Sequence, residues 1–458
     1  MNKNSKALGE ENIGKLLKRL SIPAMMGMMV NALYNLVDAI FLGRFVGVDA
    51  MGALAIALPI QMIILAFGIM VGIGAASGAS RALGAKENEK ADNIVGNAFL
   101  STIIIGIMLI TVGRTFLTPI LILFGATENL LPLAYDYMNT ILLGSVFLTI
   151  QVVSNNIIRS EGNAKIAMIS MMIGTGFNII MDPIFIEVLN FDIMGAALAT
   201  IIGQTLGFIY VMSYFLRGKS SYNIGIKYMK PNFEYLKEIF SVGLPTFMRN
   251  IAGSVLAIVA NNSLGYYGGD IAISVYGVIQ RVLRFSIMPM FGIVQGFQPI
   301  ASYNYGAHNY KRVIEVIKTS LKALIIYATA VIILVQLFPG PIIRLFNSDP
   351  ELLSLGKKAL RIVMIMMPLI GIQVISGSMY QALGKPKPAL IVSMSRQTLF
   401  LIPLILILPG MFNLGLMGVY LAFPIADALA IILSGYMLKR QLNILRDKSG
   451  MQEESLSK

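Results

Sequence analysis

Apolar runs of about 20 residues or more alternate along the chain with short polar, mostly basic segments. Read at helical period, the runs predict twelve spans, starting near residues 17, 52, 93, 133, 164, 193, 238, 270, 313, 357, 388 and 413. The pattern is that of an all-α polytopic membrane protein. The first segment, "MNKNSKALGEENIGKLLKRL", is polar and runs straight into a long apolar helix, with no small-residue cleavage site behind a short apolar core. It therefore reads as a cytoplasmic entry segment and not as a removable signal peptide.

The polar positions that interrupt these runs are unevenly shared. In the first span, "MGMMVNALYNLVDAIFLG", residues Asn31, Tyr34, Asn35 and Asp38 are spaced by three or four, so they form one stripe on a helix. In the fifth span, "GFNIIMDPIFIEVL" places Asn178 and Asp182 one turn apart and directly before Pro183. Pro183 cannot donate the hydrogen bond that the carbonyl of Ile179 would receive, which predicts a helix kink. An amide, a carboxylate and a free carbonyl then converge, an oxygen-rich set suited to a hard cation or a proton. The fourth span adds Gln151, Ser154 and Asn155, and the sixth adds Thr200 and Gln204. A carboxylate near the bilayer centre costs at least about 2.5 kcal/mol, so Asp38 and Asp182 require a partner, a proton or a bound cation. No Lys or Arg lies within a span of the first half to provide that partner.

The chain repeats itself. At one constant offset, "LSIPAMM" around Pro23 returns around Pro245, Gly84 in "ASRALGAKENEK" returns as Gly306 in "ASYNYGAHNYKR", and Gly162 in "SEGNAKIA" returns as Gly384 in "ALGKPKPA". Each half has an even number of spans, so both keep the same orientation, as in secondary transporters built from parallel repeats about a central cavity. The predicted organisation is an N-terminal segment (1–16), a first six-helix lobe (17–217), a polar linker (218–237), a second six-helix lobe (238–438) and a tail (439–458).

Composition adds exclusions. Hydrophobic residues make up 56% of the chain and charged residues 13%, far from the mix of a soluble domain. There is no cysteine, and the single histidine, His308, lies in a predicted loop, so neither a nucleophile nor a metal constellation for an enzyme is visible, and no cofactor is implied. The net charge of +13 raises nucleic acid as a partner, but no segment supplies a basic soluble domain. The positive charges follow membrane topology instead. One side carries Arg81, Lys86, Lys90, Arg159, Lys165, the run from Arg217 to Lys237, the run from Lys311 to Lys322, Lys385, Lys387 and the tail from Lys439. The other carries only Arg44, Arg114, Arg344, Lys357, Lys358 and Arg361. The positive-inside rule then puts both termini in the cytoplasm.

Taken together, "SIPAMMGMMVNALYNLVDAIFLG", "NNIIRSEGNAK", "GFNIIMDPIFI", "MGAALAT", "QGFQPIASYNYGA" and "SRQTLFLIPLILILP" resemble the multidrug and toxic compound extrusion (MATE) transporters, in their prokaryotic DinF-like and MepA-like branch. The resemblance runs from about residue 12 to 445. It implies alternating access in a multi-pass protein of the cell membrane, acting as a monomer, that exports small organic cations in exchange for sodium ions or protons. It places the coupling-cation site on Asp38, Asn178, Asp182 and Thr200, with Tyr34 and Asn155 in the surrounding polar network, to which the polar positions of the first and sixth spans add Asn35 and Gln204. The 29 methionines offer an adaptable lining for varied substrates. A lipid-linked sugar flippase of the same superfamily is the alternative.

In the second half, the repeat offset sets Ala260 opposite Asp38 and Leu404 opposite Asp182, which leaves Asp427 as the acid within a span. Arg396 and Asp427 fall about 12 and 15 Å from the cytoplasmic side at 1.5 Å per residue, so they are expected to form a structural pair. Arg249, Arg281 and Arg284 have no partner that the sequence names.

Overall fold

The computed structural model describes residues 2–41, 48–346, 349–411 and 413–457; the side chains of 32–41, 48 and 453–457 lie outside that description. The described chain is helical almost throughout. Its elements are α1 (Lys3–Glu10), α2 (Ile13–Phe41), α3 (Val48–Gly84), α4 (Asn88–Thr115), α5 (Leu117–Leu123), α6 (Leu131–Ser160), α7 (Ala164–Pro183) and α8 (Asp192–Leu216). There follow α9 (Phe233–Gly306), α10 (Tyr310–Leu337), α11 (Pro339–Arg344), α12 (Pro350–Met364), α13 (Met367–Ala382), α14 (Pro386–Met394), α15 (Ile402–Met411) and α16 (Leu416–Ser457). Two π-helical turns, Ile184–Val188 and Ser395–Leu401, continue α7 and join α14 to α15.

Among the described residues nine helices are long and apolar enough to cross a membrane. One of them, α9, is two spans, because Gly269 at φ 64° and ψ −165° breaks its helical winding. The bent pair α12 and α13 forms a further broken span, and α2 supplies the first, giving the twelve-helix, two-repeat layout. Some helices, α9 and α10 among them, start a few residues before their apolar runs, where a polar cap precedes them. Asn232 accepts from the amides of Glu234 and Tyr235 at the head of α9, and Asn309 accepts from Arg312 at the head of α10. The repeats also share backbone signatures: Lys86 and His308 are both left-handed (φ 63° and 58°), as are Gly162 and Gly384 (φ 85° and 67°).

The chain divides into two compact units, Met1–Gly243 with Ser302–Ala307, and Leu244–Ala301 with His308–Lys458. In the first unit, two apolar cores stack along the bundle. One joins α3, α5, α6 and α8 around Leu121 and Tyr137. The other joins α3, α4, α6 and α8 around Ile94 and Val153.

At the basic end of this unit the last turns of α3 and α9 cross in backbone contact. A Cβ on Gly84 would overlap the carbonyl oxygen of Tyr303, and one on Gly306 would overlap that of Arg81. Repeat-equivalent glycines thus make the crossing possible. Beside it, Arg81 donates to Glu238 and to Ser77.

The N-terminal helix α1 is docked on the same unit. Asn304 donates to the carbonyl of Leu8 at 2.8 Å, and Leu8 is fully buried. The dock turns on Glu161, a wholly buried acid in the loop after α6. It accepts from the Ser221 amide (2.5 Å), Tyr214 Oη (2.6 Å), Ser220 Oγ (3.0 Å) and Asn2 Nδ2 (3.3 Å). Burial pushes its carboxyl up to about 7, against the hydrogen bonds it accepts.

In the second unit, Arg396 Nε donates to Asp427 Oδ1 and its Nη2 approaches Oδ2 at 3.5 Å, joining the π turn to α16. Asp427 is 1% exposed and Arg396 20%, so removing one member strands the other in a poorly solvated place.

Two outcomes are expected. The folded state holds the Glu161 proton to higher pH than an unfolded chain does, so its docking contribution is full below about pH 4.5 and declines as pH rises through about 7. Hydrogen-exchange protection factors of residues 3–10, taken relative to the intrinsic base-catalysed rate at each pH, should fall across that window in the wild type and stay level in Glu161→Gln; a pH-independent protection factor in the wild type would exclude Glu161 as the titrating group. Separately, Arg396→Gln or Asp427→Asn should each lower stability by roughly 3 kcal/mol. The exchange of Arg396→Asp with Asp427→Arg should recover most of the loss in thermal melting.

Candidate functional site

The predicted polar site in the first unit is assembled by close helix packing. On α7 and α8, Gly174 and Gly203 face each other so closely that a Cβ on Gly203 would overlap the Gly174 carbonyl oxygen. This contact fixes the register of the two helices. Asn178 lies one turn beyond Gly174 and Thr200 lies three residues before Gly203, so the two side chains meet. Asn178 Nδ2 donates to Thr200 Oγ1 at 3.1 Å. A second tie lies one turn further along each helix, where Gln151 of α6 donates to Ser170 Oγ at 3.0 Å and Ser170 Oγ donates to the Gly207 carbonyl at 3.2 Å.

Asp182, one turn after Asn178, is wholly buried, and Asn178 is 2% exposed. The Asn178 amide is held through its nitrogen, and its Oδ1 has no hydrogen-bond partner among the described residues. Asn155 on α6 is also buried, with an Oδ1 in the same state. A carboxylate with neutral oxygens around it is a donor set that fits a small hard cation or a proton. Pro183 does not break its helix. The winding passes from α7 into the π turn Ile184–Val188, and the span continues.

Thr200 also borders a cavity of about 30 Å³ lined by Gln61, Ser145, Thr200, Gln204 and apolar residues. Gln61 Nε2 donates to Tyr137 Oη at 3.0 Å on its rim. Gln204 therefore belongs to this cavity, one turn along α8 from Thr200, and no hydrogen bond joins it to Asn178. The remaining predicted members, Tyr34, Asn35 and Asp38, lie on α2, and their side chains fall outside the described residues.

Sequence reasoning missed Gln61 and Ser145, as well as Glu161 with its docked helix. For Glu161 a signal existed: in "RSEGNAK" it is an acid flanked by Arg159 and Lys165 on the side rich in basic residues.

In the second unit, Arg249 lies over the ring of Phe291, 5.5 Å from its centroid. Arg281 and Arg284, on the same long helix element, are exposed.

The MatE family model matches the chain twice, over residues 23–184 and 245–407, once in each repeat. The multidrug export protein MepA of Staphylococcus haemolyticus (strain JCSC1435) is 29% identical over 447 residues, 97% of either chain. MepA of Staphylococcus aureus (strain MSSA476) is 30% identical over 433 residues, 94% of this chain and 95% of the relative. Among solved structures, an outward-facing multidrug resistance MATE transporter of the MOP superfamily superposes with a TM-score of 0.92 at 26% identity, over 98% of this chain and 99% of the other. The MATE multidrug transporter DinF-BH superposes with a TM-score of 0.89 at 43% identity, over 97% and 99%. With both repeats matched by the family model, the chain belongs to the MATE family of multi-pass membrane multidrug efflux transporters, and it is a transporter and not an enzyme.

Proposed function

We propose that this transporter is a cation-coupled antiporter that exports organic cations by alternating access, in exchange for sodium ions or protons. The observation that carries the reading is Asp182, wholly buried at membrane depth beside an Asn178 whose amide nitrogen is committed to Thr200. A carboxylate in that position is affordable when a proton or cation neutralises it for part of the cycle. Asp38, Asn178, Asp182 and Thr200 form the coupling site. Tyr34, Asn35, Asn155 and Gln204 form the polar network that admits and orients the ion. A coupling cation and an organic cation that need the same carboxylates exclude one another, and that competition suffices for antiport. Membrane potential adds about 2.3 kcal/mol per charge per 100 mV to an inward-moving cation.

The transporter acts as a monomer in the cell membrane with both termini in the cytoplasm, as the distribution of Lys and Arg supports. A lipid-linked sugar flippase is the second reading, favoured by one observation, the arginines Arg249, Arg281 and Arg284 that carry no ion pair among the described residues.

In proteoliposomes with sodium and proton gradients imposed separately, one gradient should drive efflux of a cationic dye in the wild type. Asp38→Asn and Asp182→Asn should fold and insert yet lose gradient-driven exchange by at least about tenfold, an order set by the loss of a single charged contact. Wild-type exchange in either variant would remove that residue from the coupling site. Pro183→Ala should keep ion binding and slow turnover, because an unbroken α-helical ladder resists bending at that position. Unchanged turnover with lost binding would make Pro183 a shaping residue only.

A further inference from the structure

The two repeats differ in the sign of the charge they hold at membrane depth. The first half has Asp38 and Asp182 and no cation within its spans; the second has Arg249, Arg281, Arg284 and Arg396 against the single acid Asp427. Arg396 is neutralised by Asp427, which accepts from its Nε and Nη2. The other three form no hydrogen bond or ion pair among the described residues. Arg249 stands 16 residues into α9, about 24 Å from its start at 1.5 Å per residue. Arg281 and Arg284 stand 12 and 15 residues beyond the break at Gly269, about 18 and 22 Å along the helix. All are well inside a span, where an uncompensated charge faces water or a ligand and not lipid.

Their arrangement is directional. Arg284 and Phe291 are seven residues apart, two turns on one face of the helix, and Arg281 lies one turn beyond Arg284. Phe291 on that face holds Arg249 against its ring. One turn after Arg249, Gly253 leaves room for the side chain of Gln397, whose Nε2 would lie 3.5 Å from a Cβ placed there. Gln397 Oε1 is buried with no hydrogen-bond partner among the described residues. Guanidinium groups, an amide and an aromatic ring thus share one face of the second unit, spread along about 15 Å of helix axis. Arginine forks match carboxylates in geometry, and the ring beside Arg249 matches an aromatic body. A pyrophosphate would call for cations converging on one point, and these three are strung along the helix instead.

We propose that Arg249, Arg284 and Gln397, with Arg281 one turn further along α9, form an anion subsite in the second unit that takes the carboxylate of an aromatic organic substrate. The inference rests on the export reading above and deepens it: the exported compounds include zwitterions and organic acids as well as cations.

The test uses the purified full chain in detergent and a matched pair of probes, a zwitterionic rhodamine bearing a free carboxylate and its methyl ester, which keeps the cation and lacks the anion. The chain has no tryptophan, so dye anisotropy is read without intrinsic indole fluorescence. The wild type should bind the free acid about tenfold more tightly than the ester, the order expected of a charge-assisted contact. Arg249→Gln, Arg284→Gln and the double variant should lose that preference while keeping wild-type affinity for the ester, which also reports that they are folded. Equal wild-type affinity for the two dyes, or variants that weaken both alike, would overturn the subsite. Displacement of the acid by a polyprenyl pyrophosphate at lower concentration than by aromatic carboxylates would overturn it in favour of a lipid pyrophosphate. The export reading fails separately: if the acid preference and its loss on mutation hold but neither dye is moved in proteoliposomes under a sodium or proton gradient, the subsite stands and gradient-driven export falls.

Discussion

A charge inside a bilayer must be matched at its own depth, because neither water nor lipid will do it cheaply. Most of what is distinctive in this chain follows from that constraint. In the second unit it is met permanently, by Arg396 on Asp427, and the result is a fixed brace between a π turn and α16. In the first, Asp182 is wholly buried one turn from Asn178, whose amide nitrogen is committed to Thr200. A buried carboxyl is held more easily protonated or cation-bound than bare.

Close backbone approach provides the rigidity that such a site requires. Apolar side chains have no preference for each other over lipid tails, so membrane helices are located by small residues and hydrogen bonds. Gly174 against Gly203 sets α7 on α8 and brings Asn178 to Thr200. Gly84 against Gly306 sets the end of α3 on the end of α9, where Arg81 and Glu238 add a charged tie at the margin of the span. The docked α1 helix then covers that end of the unit through Glu161, a group whose proton affinity is itself raised by the burial that docking creates. Packing at the centre and closure at the basic end are thus separate devices made from the same parts.

How much of this could be read from the sequence depended on how local each feature was. Asn178 and Asp182 were legible because a helix puts positions four apart on one face, and the repeat was legible because glycines and prolines recur at a constant offset. The start of the seventh span fell a few residues late, since α9 runs past its apolar stretch to a cap at Asn232, whereas the fifth start coincides with that of α7. Thr200 was visible as a polar position of the sixth span, and its emphasis came from family resemblance, for a threonine in an apolar helix carries no periodic signal. The ligands of Glu161 could not be read at all. They come from Asn2, Tyr214, Ser220 and Ser221, segments that only the fold brings together. Nor does equivalence between Gly84 and Gly306 in the repeat imply that each packs against the backbone of the other's helix.

The repeats diverge most where helix winding changes. Each fifth helix gives up α geometry beside its charged residue: after Pro183 in the first repeat, and around Arg396, upstream of Pro403, in the second. A proline leaves the carbonyl four residues before it without an intrahelical donor, and a π turn is one way to rehouse the surplus. In the first repeat that carbonyl belongs to Ile179, within the turn that presents Asn178 and Asp182. In the second it belongs to Leu399, inside the π turn that carries Arg396 and Gln397. The same backbone economy therefore serves opposite chemistry, an oxygen-rich turn that favours a cation and a turn bearing a guanidinium and an amide. At the offset that pairs Gly84 with Gly306, the π turn Ser395–Leu401 falls opposite residues 173–179 and not opposite Ile184–Val188, so the two repeats give up α geometry at different depths.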